Sequence, residues 1–542
     1  MKPEAINPGS RIGRYLPFAS TRVDWEFLFY TAVTLAVFVF LDRALLVVGS
    51  MPLESYAEPW LALEQLRRQG WLRVSVVALA FILLARYGHL MATWADWKAG
   101  PELRIFVVVL SGAMVWPFAT YGFNFLFDQG HYATRLLLLI CLILLWWRPL
   151  FIFPLLALLY TVMGQLSVYP LGGTILAHKL QVLHVLNLFA AACLVRAVTA
   201  NRRPDVFWFL TLCLVAGAYW VAFMAKMNID WISYGKSYHA LPAAYAHGWL
   251  SFLDASRIVD IVHLLKPFDL MLQLTVLVFE GGCLLILKDR RIAAALLAGL
   301  VLFHTGVFFL YGFLFWTWML LDAALLTLLL SGRMRLPLDV FRGSNWLVAM
   351  VLIASAGFWA RPPVLGWFDT RVNYTYKVDA HFADGRRVQL APQFFAPYED
   401  VFTMASFGYL SASHPLLVGP YGVTSDRRVA DALAEPTDSA ELFTIEQALG
   451  TVRHNAARRE NFESFMSRFI ANRNLRGAVD SSLYALAPPR QFWSFEGTIV
   501  EDRTPITAIS VVERTSYFDD LRLQVVREEE VAHIKIPSPP AQ

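Results

Sequence analysis

One lysine inside an apolar stretch is the residue best placed to do chemistry in this sequence. Lys226 ends the run VFWFLTLCLVAGAYWVAFMAK, and the polar, aromatic turn MNIDWISYGKSYHAL follows it directly. A lysine at the end of a membrane helix can extend its ammonium group to the lipid–water interface and act as an anchor. An unpaired charge at membrane depth costs several kcal/mol, so such a lysine is equally a candidate for catalysis or binding. Spacing alone leaves both interpretations open.

A second ionisable residue lies in another apolar run, LVFEGG. At that depth Glu280 must pair with a cation, bind a proton or face water, and Lys226 is a natural partner for it. Gly281 and Gly282 beside it permit a neighbouring helix to approach closely. A small-molecule carrier that uses the intramembrane Glu280 is one functional alternative.

Three histidines also fall in apolar segments. His178 and His184 are six residues apart in AHKLQVLHVLN, so they do not share a helix face as an i, i+4 metal pair does. His304 lies deep in LFHTGVFFLYGFLFWTWML. A lone buried histidine is more often a hydrogen-bonding partner for a neighbouring helix than a ligand. We predict no metal site, and the four cysteines have neither metal nor redox spacing.

The composition indicates a membrane protein with a soluble portion. The chain is 57% hydrophobic and 16% charged, with a mean hydropathy of +0.49, whereas soluble domains are about 45–50% apolar and about 25% charged. The net charge is +4, and the arginines lie in short clusters between apolar runs. Basic clusters between apolar runs indicate how the chain is oriented in a membrane and do not indicate nucleic-acid binding. We therefore expect membrane lipid as a partner and no nucleic acid.

Apolar runs long enough to span a membrane fill the first two thirds of the chain. The sequence predicts about eleven of them, near 26–49, 71–88, 103–122, 133–149, 150–168, 180–200, 206–226, 267–287, 292–311, 313–331 and 344–360. The predicted fold is a polytopic transmembrane helical bundle of about 10–11 spans with a C-terminal extracytoplasmic α+β domain. The predicted boundaries are 1–24 for a cytoplasmic or interfacial segment, 25–360 for the bundle and 361–542 for the C-terminal domain.

Basic clusters between the spans predict the orientation. They fall two spans apart, at Arg196, Arg202 and Arg203, at Lys288, Arg290 and Arg291, and at Arg333, Arg335 and Arg342. The positive-inside rule places all three clusters in the cytoplasm. One more span then puts the C-terminal domain on the opposite face, together with the loop that follows Lys226. We therefore expect a multi-pass protein of the cell (inner) membrane whose C-terminal domain is extracytoplasmic.

The C-terminal region has a mixed pattern. YTYKVDAHFADGRRVQLAP alternates around Asp384 and Gly385, which predicts a β-hairpin. The segment after Thr437 or Asp438, either of which can be an N-cap, has helical periodicity and predicts one or two helices. FWSFEGTIVED, ITAISVVERTS and LRLQVVREEEVAHIKI alternate as strands do.

Three segments resemble one known family. AYWVAFMAKMNIDWISYG is similar to the pattern Tyr-x-x-Ala-Gly-x-x-Lys, followed by tryptophan five residues later, in the transmembrane domain of vitamin K-dependent gamma-carboxylases and their bacterial relatives, the HTTM (horizontally transferred transmembrane) family. The matching residues are Tyr219, Ala222, Lys226 and Trp231. LFHTGVFFLYGFLFWTWMLL resembles the family's Phe-His helix at His304, and AHKLQVL places His178 on a family histidine. The chain departs from the pattern at Phe223, Gly235, Ala177 and Val307.

The resemblance implies a reaction and a site. In the carboxylases a lysine deprotonates vitamin K hydroquinone, and oxygenation of the quinol drives removal of a glutamate γ-proton before carbon dioxide adds. Carried over, Lys226 is the expected base and His178 its assistant. The expected cofactor is a reduced, vitamin K hydroquinone-like quinone, with Tyr219, Trp231, His304 and Glu280 as the residues that bind it.

The sequence leaves open whether the protein is an enzyme. The resemblance favours quinol oxidation coupled to carboxylation or another modification of a protein or peptide substrate on the outer face. The alternative is a non-catalytic membrane protein whose outer C-terminal domain binds partners in an assembly or export complex.

Overall fold

The structure is a computed structural model. It describes residues 24–70, 73–75, 77–78, 93–95, 100–167, 171, 180–199, 203–331, 338–341, 343–435, 438–477, 483–500 and 504–537. The predicted N-terminal segment 1–24 therefore lies outside the described residues except for Asp24, and most of the predicted span 71–88 lies outside them as well.

The first two thirds of the described chain are helical. The helices are α1 (Trp25–Gly49), α2 (Leu61–Arg68), α3 (Pro101–Thr120), α4 (Tyr132–Trp147), α5 (Ile152–Ser167), α6 (Leu180–Val198), α7 (Pro204–Asn228), α8 (Trp231–Tyr234), α9 (Ala240–Ala246), α10 (Ala255–Leu265), α11 (Asp269–Gly282), α12 (Arg290–Tyr311), α13 (Trp316–Leu330), α14 (Gly343–Ala354) and α15 (Ala356–Trp359).

Many of these helices have the length and composition of membrane spans. Within the described residues, seven helical segments are long and apolar enough to cross a bilayer, including α1, α3, α7 and α12. Three further apolar helices, α4, α13 and the part of α14 from Asn345, are shorter. The spans predicted from hydropathy fall on these helices, apart from 71–88. The prediction of a multi-pass membrane protein is thus supported by the helical bundle itself.

Helix α7 forms the centre of the bundle. It begins at Pro204, whose fixed φ suits the first helical position, and Asp205 in the first turn complements the helix dipole. Of its most apolar window, 83% is buried inside the protein. Helices α1, α6, α11 and α14 pack around it. Of the seven candidate spans among the described residues, α7 has the largest buried share, so its side chains lie mostly in the interior of the protein.

The C-terminal region folds as a small α+β unit. Its strands are β1 (Phe368–Asp369), β2 (Val372–Phe382), β3 (Arg387–Gln389), β4 (Val423–Thr424), β5 (Ile506–Phe518) and β6 (Leu523–Lys535). Its helices are α16 (Glu399–Met404), α17 (Arg427–Ala432), α18 (Ser439–Leu449) and α19 (Ala456–Arg476). Four strands form an antiparallel sheet in the order β3-β2-β5-β6, and β1 pairs with β4.

Local predictions for this region are mostly confirmed. Strands β2 and β3 form the hairpin around Asp384, and Gly385 has the positive φ of 86° that its turn requires. Asp438 is the N-cap of α18, because its side chain accepts a hydrogen bond from the Glu441 backbone N–H. The predicted helical segment is two helices, α18 and α19, and the alternative cap Thr437 lies outside the described residues.

The strand predicted at FWSFEGTIVED, residues 492–502, is wrong for the described residues 492–500. The alternating pattern is present, but the backbone N–H groups of Trp493, Phe495 and Thr498 donate to three different segments, at Gly312, Gly248 and Gln389. Because its backbone hydrogen bonds go to three different segments, this stretch forms isolated β-bridges and not a continuous ladder of strand pairing.

Ion pairs and hydrogen bonds hold the C-terminal unit on the bundle. The Asp520 carboxylate accepts from Arg371 at 2.7 Å and from Lys266, which follows α10, at 3.1 Å. The two cations keep the pKa of Asp520 at about 2, against the opposing effect of burial. Tyr311, at the end of α12, donates to Asp369 Oδ1 at 2.5 Å. The C-terminal unit and the helices therefore share a polar interface.

A buried histidine at this interface makes stability depend on pH. His247, after α9, stacks on Tyr421 at 3.9 Å, lies 3.2 Å from the Thr403 carbonyl through Nδ1, and accepts from the Tyr421 N–H through Nε2. Burial lowers the pKa of His247 to about 3, well below its ordinary value of 6.5. The unfolded chain therefore binds a proton at His247 below pH 6.5 that the folded protein does not bind.

We expect the stability contributed by neutral His247 to be complete above pH 6.5 and to fall as the pH drops towards 3. Each unit of pH decrease in this window lowers the free energy of unfolding by about 1.4 kcal/mol. Thermal unfolding of purified protein between pH 7.5 and pH 4 measures the slope. A His247→Gln variant is less stable at pH 7.5 and has a flatter profile; an unchanged slope in this variant contradicts the assignment to His247.

Candidate functional site

Four helices bring the candidate residues together. Tyr219 and Lys226 are seven residues apart on α7, so they lie on one face of that helix. Glu280 comes from α11 and His304 from α12. A further carboxylate, Asp322, comes from α13. These helices pack as neighbours, so residues from separate parts of the sequence meet inside the bundle.

Lys226 and Glu280 form a buried ion pair. The lysine Nζ donates to Glu280 Oε1 at 2.7 Å and to Oε2 at 2.9 Å. The side chains are 11% and 3% exposed, respectively. The predicted pairing is confirmed, and the lysine does not extend into solvent as an anchor would. The ammonium group also lies 5.7 Å from the centre of the Trp231 ring, at cation–π distance.

Close packing of α7 on α11 makes this pair possible. A Cβ at Gly281 would lie 2.9 Å from the Phe223 ring, so the glycine leaves the space that this ring occupies. The resembled family has glycine at the position of Phe223. In this chain the small residue of the contact is Gly281, which lies on α11, opposite Phe223 on α7. The prediction that Gly281 permits close approach is thus confirmed.

A second polar cluster surrounds Tyr219. Its hydroxyl lies 2.7 Å from Asp322 Oδ2, to which it donates, and 2.9 Å from His304 Nε2. Because a phenol carries one proton, donation to Asp322 leaves His304 Nε2–H as the donor to the phenol oxygen. The neutral imidazole then has an unprotonated Nδ1. All three side chains are buried.

Two acceptor atoms of this cluster have no partner among the residues that the structure describes. Within the described part of the chain, His304 Nδ1 and Asp322 Oδ1 are buried and make no hydrogen bond. Buried polar atoms are nearly always paired, so each exception calls for a ligand, a water or a role in chemistry. The rings of Phe303, Phe315 and Trp318 lie 5.1, 5.5 and 5.6 Å from the imidazole, centre to centre. The unpaired acceptors are therefore enclosed by flat aromatic surfaces.

The C-terminal unit covers the turn that follows Lys226. Arg427 of α17 donates to the Ile229 carbonyl at 3.1 Å and lies 4.9 Å from the centre of the Tyr234 ring. Asp369 of β1 is close enough for the charge of Lys226 to influence it. Burial raises the pKa of Asp369 to about 7, against the opposing effects of the Tyr311 hydrogen bond and the lysine charge. This carboxyl group can therefore gain or lose a proton near neutral pH.

The remaining predicted histidines have different positions. His178, the predicted assistant of Lys226, lies outside the described residues. His184 belongs to another set of contacts, in which Asp42 lies 3.4 Å from its Nε2 and accepts from Asn187 at 2.9 Å. The interpretation of His184 as a hydrogen-bonding partner between helices fits these contacts.

Sequence reasoning missed Asp322 and Asp369. Asp322 lies in the apolar run WTWMLLDAALLTLLL, and the rule that selected Glu280 applies to it equally. Asp369 ends the short strand β1 in a polar region and has no comparable signal, because its burial depends on how the C-terminal unit docks. In the described residues no group of His, Cys, Asp and Glu side chains has the arrangement of a metal site.

No protein-family model, curated protein or solved structure matches the chain. The resemblance to the gamma-carboxylase family stays a prediction from the three sequence segments.

Proposed function

We propose that the protein is a membrane-embedded enzyme that transfers protons at the Lys226–Glu280 pair and at the Tyr219–His304–Asp322 cluster. The observation that carries the proposal is the burial of both groups among α7, α11, α12 and α13. A buried ion pair usually adds little stability compared with apolar packing, so a folding requirement does not explain it. Ionisable residues at membrane depth mark proton or substrate pathways.

The cofactor implied by the family resemblance is a reduced quinone, and the residues present fit it. A hydroquinone is a flat ring with hydroxyl donors, and the cluster presents the unpaired acceptors His304 Nδ1 and Asp322 Oδ1 between aromatic rings. When bound, this group would supply two electrons and two protons. His304 and Asp322 would hold its hydroxyl groups, and Trp318 would pack against its ring.

The two groups of side chains would divide the proton chemistry. His304 can accept a proton at Nδ1, because its Nε2–H is already committed to Tyr219. Lys226 acts as a base only as a neutral amine, and Glu280 is the group placed to hold the proton that the lysine releases. The pair can thus store one proton while Nζ takes another from a substrate.

The proposed substrate is a protein or peptide on the outer face, which the enzyme would carboxylate or otherwise modify. The support is positional, since the C-terminal unit contacts the turn after Lys226 through Arg427. A matching test supplies vitamin K hydroquinone, dioxygen as the oxidant and carbon dioxide to the detergent-purified full chain and follows oxidation of the quinol by absorbance. Turnover that requires Lys226 supports the proposal, and a folded protein that neither binds nor oxidises the quinol overturns it.

The alternative of a non-catalytic membrane protein rests on the same contacts, because a docked outer unit can also present a binding surface. It predicts that alanine at Lys226 is tolerated while changes on the surface of the C-terminal unit abolish partner capture. The carrier alternative predicts uptake by purified vesicles that depends on Glu280.

We further propose that the C-terminal unit is extracytoplasmic in a cell (inner) membrane. The basic clusters support this orientation; of them, Arg202 and the cluster at Arg333, Arg335 and Arg342 lie outside the described residues. The four native cysteines are buried, so introduced thiols can be labelled selectively. We expect Ala383→Cys, in the β2–β3 turn, to react with a membrane-impermeant maleimide in intact cells, and Arg291→Cys to react only after lysis. The reverse labelling contradicts the orientation.

A further inference from the structure

A pocket of about 140 Å³ lies in the C-terminal unit near the start of α19. The side chains of Tyr374, Tyr376 and Tyr409 line it together with Arg453 and Arg458. A water molecule takes up roughly 30 Å³ in the liquid, so the volume suits a group the size of four or five waters. Aromatic rings and two exposed arginines in the lining favour a ligand with an apolar body and an anionic end.

The two arginines are available for a ligand. Both are exposed, and within the described chain neither forms an ion pair, whereas the neighbouring Arg459 pairs with Glu463 at 2.8 Å. The Arg458 guanidinium lies 4.3 Å from the centre of the Tyr409 ring. Cation–π stacking of this kind positions a guanidinium without using its N–H donors.

The Tyr409 hydroxyl is a buried donor without a partner among the described residues. The residue is 3% exposed, and its hydroxyl makes no hydrogen bond to any described residue. The other two phenols of the pocket are committed, since Tyr374 donates to Glu446 at 2.7 Å and Tyr376 donates to Glu513 at 3.1 Å. An unsatisfied buried hydroxyl costs stability, and a ligand acceptor removes that cost.

The surrounding charges leave the pocket positive. Of the carboxylates behind its wall, Glu446 pairs with Arg527 at 2.8 Å, and Glu513 lies 3.8 Å from the same guanidinium and accepts a hydrogen bond from Tyr376. Helix α19 starts at Ala456, with its dipole positive at that end, close to both pocket arginines. Two guanidinium groups and one phenol donor without partners among the described residues therefore line a pocket in which no lining residue is a carboxylate.

We propose that this pocket binds a small organic acid, with the carboxylate held by Arg453, Arg458 and the Tyr409 hydroxyl and the apolar body held between the tyrosine rings. Two guanidinium groups and a phenol match the acceptors of a carboxylate. This site shares no residue with the Lys226–Glu280 pair or the Tyr219 cluster, so it adds a ligand to the protein independently of the proposed reaction.

The test titrates benzoate into the detergent-purified full chain and follows the unfolding temperature. Benzoate raises it in a saturable way, and benzyl alcohol, which has the ring but no charge, does not. Arg453→Gln and Arg458→Gln each weaken benzoate binding by about tenfold or more, because each removes a charged hydrogen-bonding partner. Arg428→Gln, which removes an exposed arginine paired with Asp426, leaves the affinity unchanged.

Equal benzoate affinity in wild type and in both pocket variants overturns the proposal, as does the absence of any benzoate effect. Stabilisation by inorganic phosphate but not by benzoate also overturns it, because the pocket would then take an inorganic anion. If a glutamine variant does not fold, Tyr409→Phe replaces it, and we expect a several-fold loss of benzoate affinity from the missing hydroxyl.

Discussion

We expect replacement of Lys226 by alanine to suppress the proposed quinol oxidation and to destabilise the protein by about 3–5 kcal/mol, because it leaves Glu280 as a buried carboxylate without its cation. Loss of a positioned base lowers a rate by about 10²–10⁴-fold. Quinone formation and detergent-phase thermal unfolding are measured on the same preparation. The combination of both losses is expected whether Lys226 is catalytic or structural, so a second variant must separate the roles.

The double variant Lys226→Met, Glu280→Leu makes that separation. It removes both charges and fills the space with apolar side chains, so we expect it to unfold near the wild-type temperature. Its activity remains absent if the pair transfers protons. Recovery of activity together with stability would show that the pair only holds α7 against α11. Full activity in a folded Lys226→Ala protein would exclude the lysine from the chemistry directly.

Replacing His304 by alanine has the second largest expected effect. It removes the unpaired Nδ1 acceptor and the Nε2–H donor to Tyr219, so we expect quinol oxidation to fall by about 10²-fold or more. Asp322→Asn is expected to act in the same direction, since its Oδ2 accepts from Tyr219 and its Oδ1 is free in the described structure. The measurement is the rate at saturating quinol.

A matched control exists for this prediction. His184 is also a buried histidine beside an aspartate, Asp42, but it belongs to other contacts. We expect His184→Gln to change the unfolding temperature and to keep the quinol oxidation rate. An equal loss of rate in His184→Gln and His304→Ala would mean that both act through stability, and the assignment of His304 to the site would be wrong.

The sequence allowed the Lys226–Glu280 contact to be predicted because neither charge can be left alone in lipid. The same argument applies to Asp322, which was overlooked. Its hydrogen bond with Tyr219 requires only that the helices carrying the two residues be neighbours. Asp369 could not be predicted, since its burial comes from docking of the C-terminal unit rather than from any local pattern. The error at FWSFEGTIVED has a similar origin, because alternation shows which side chains are buried but not which backbone they pair with.

The order of strands in the C-terminal sheet has a consequence for biosynthesis. The central pair joins β2, which follows the helices of the bundle, to β5, and roughly 120 residues lie between them. At about 5–20 residues per second, a ribosome needs roughly 6–25 seconds to make that intervening segment. The nascent chain therefore has the helices of the bundle complete well before β5 is available to pair with β2 and close the sheet.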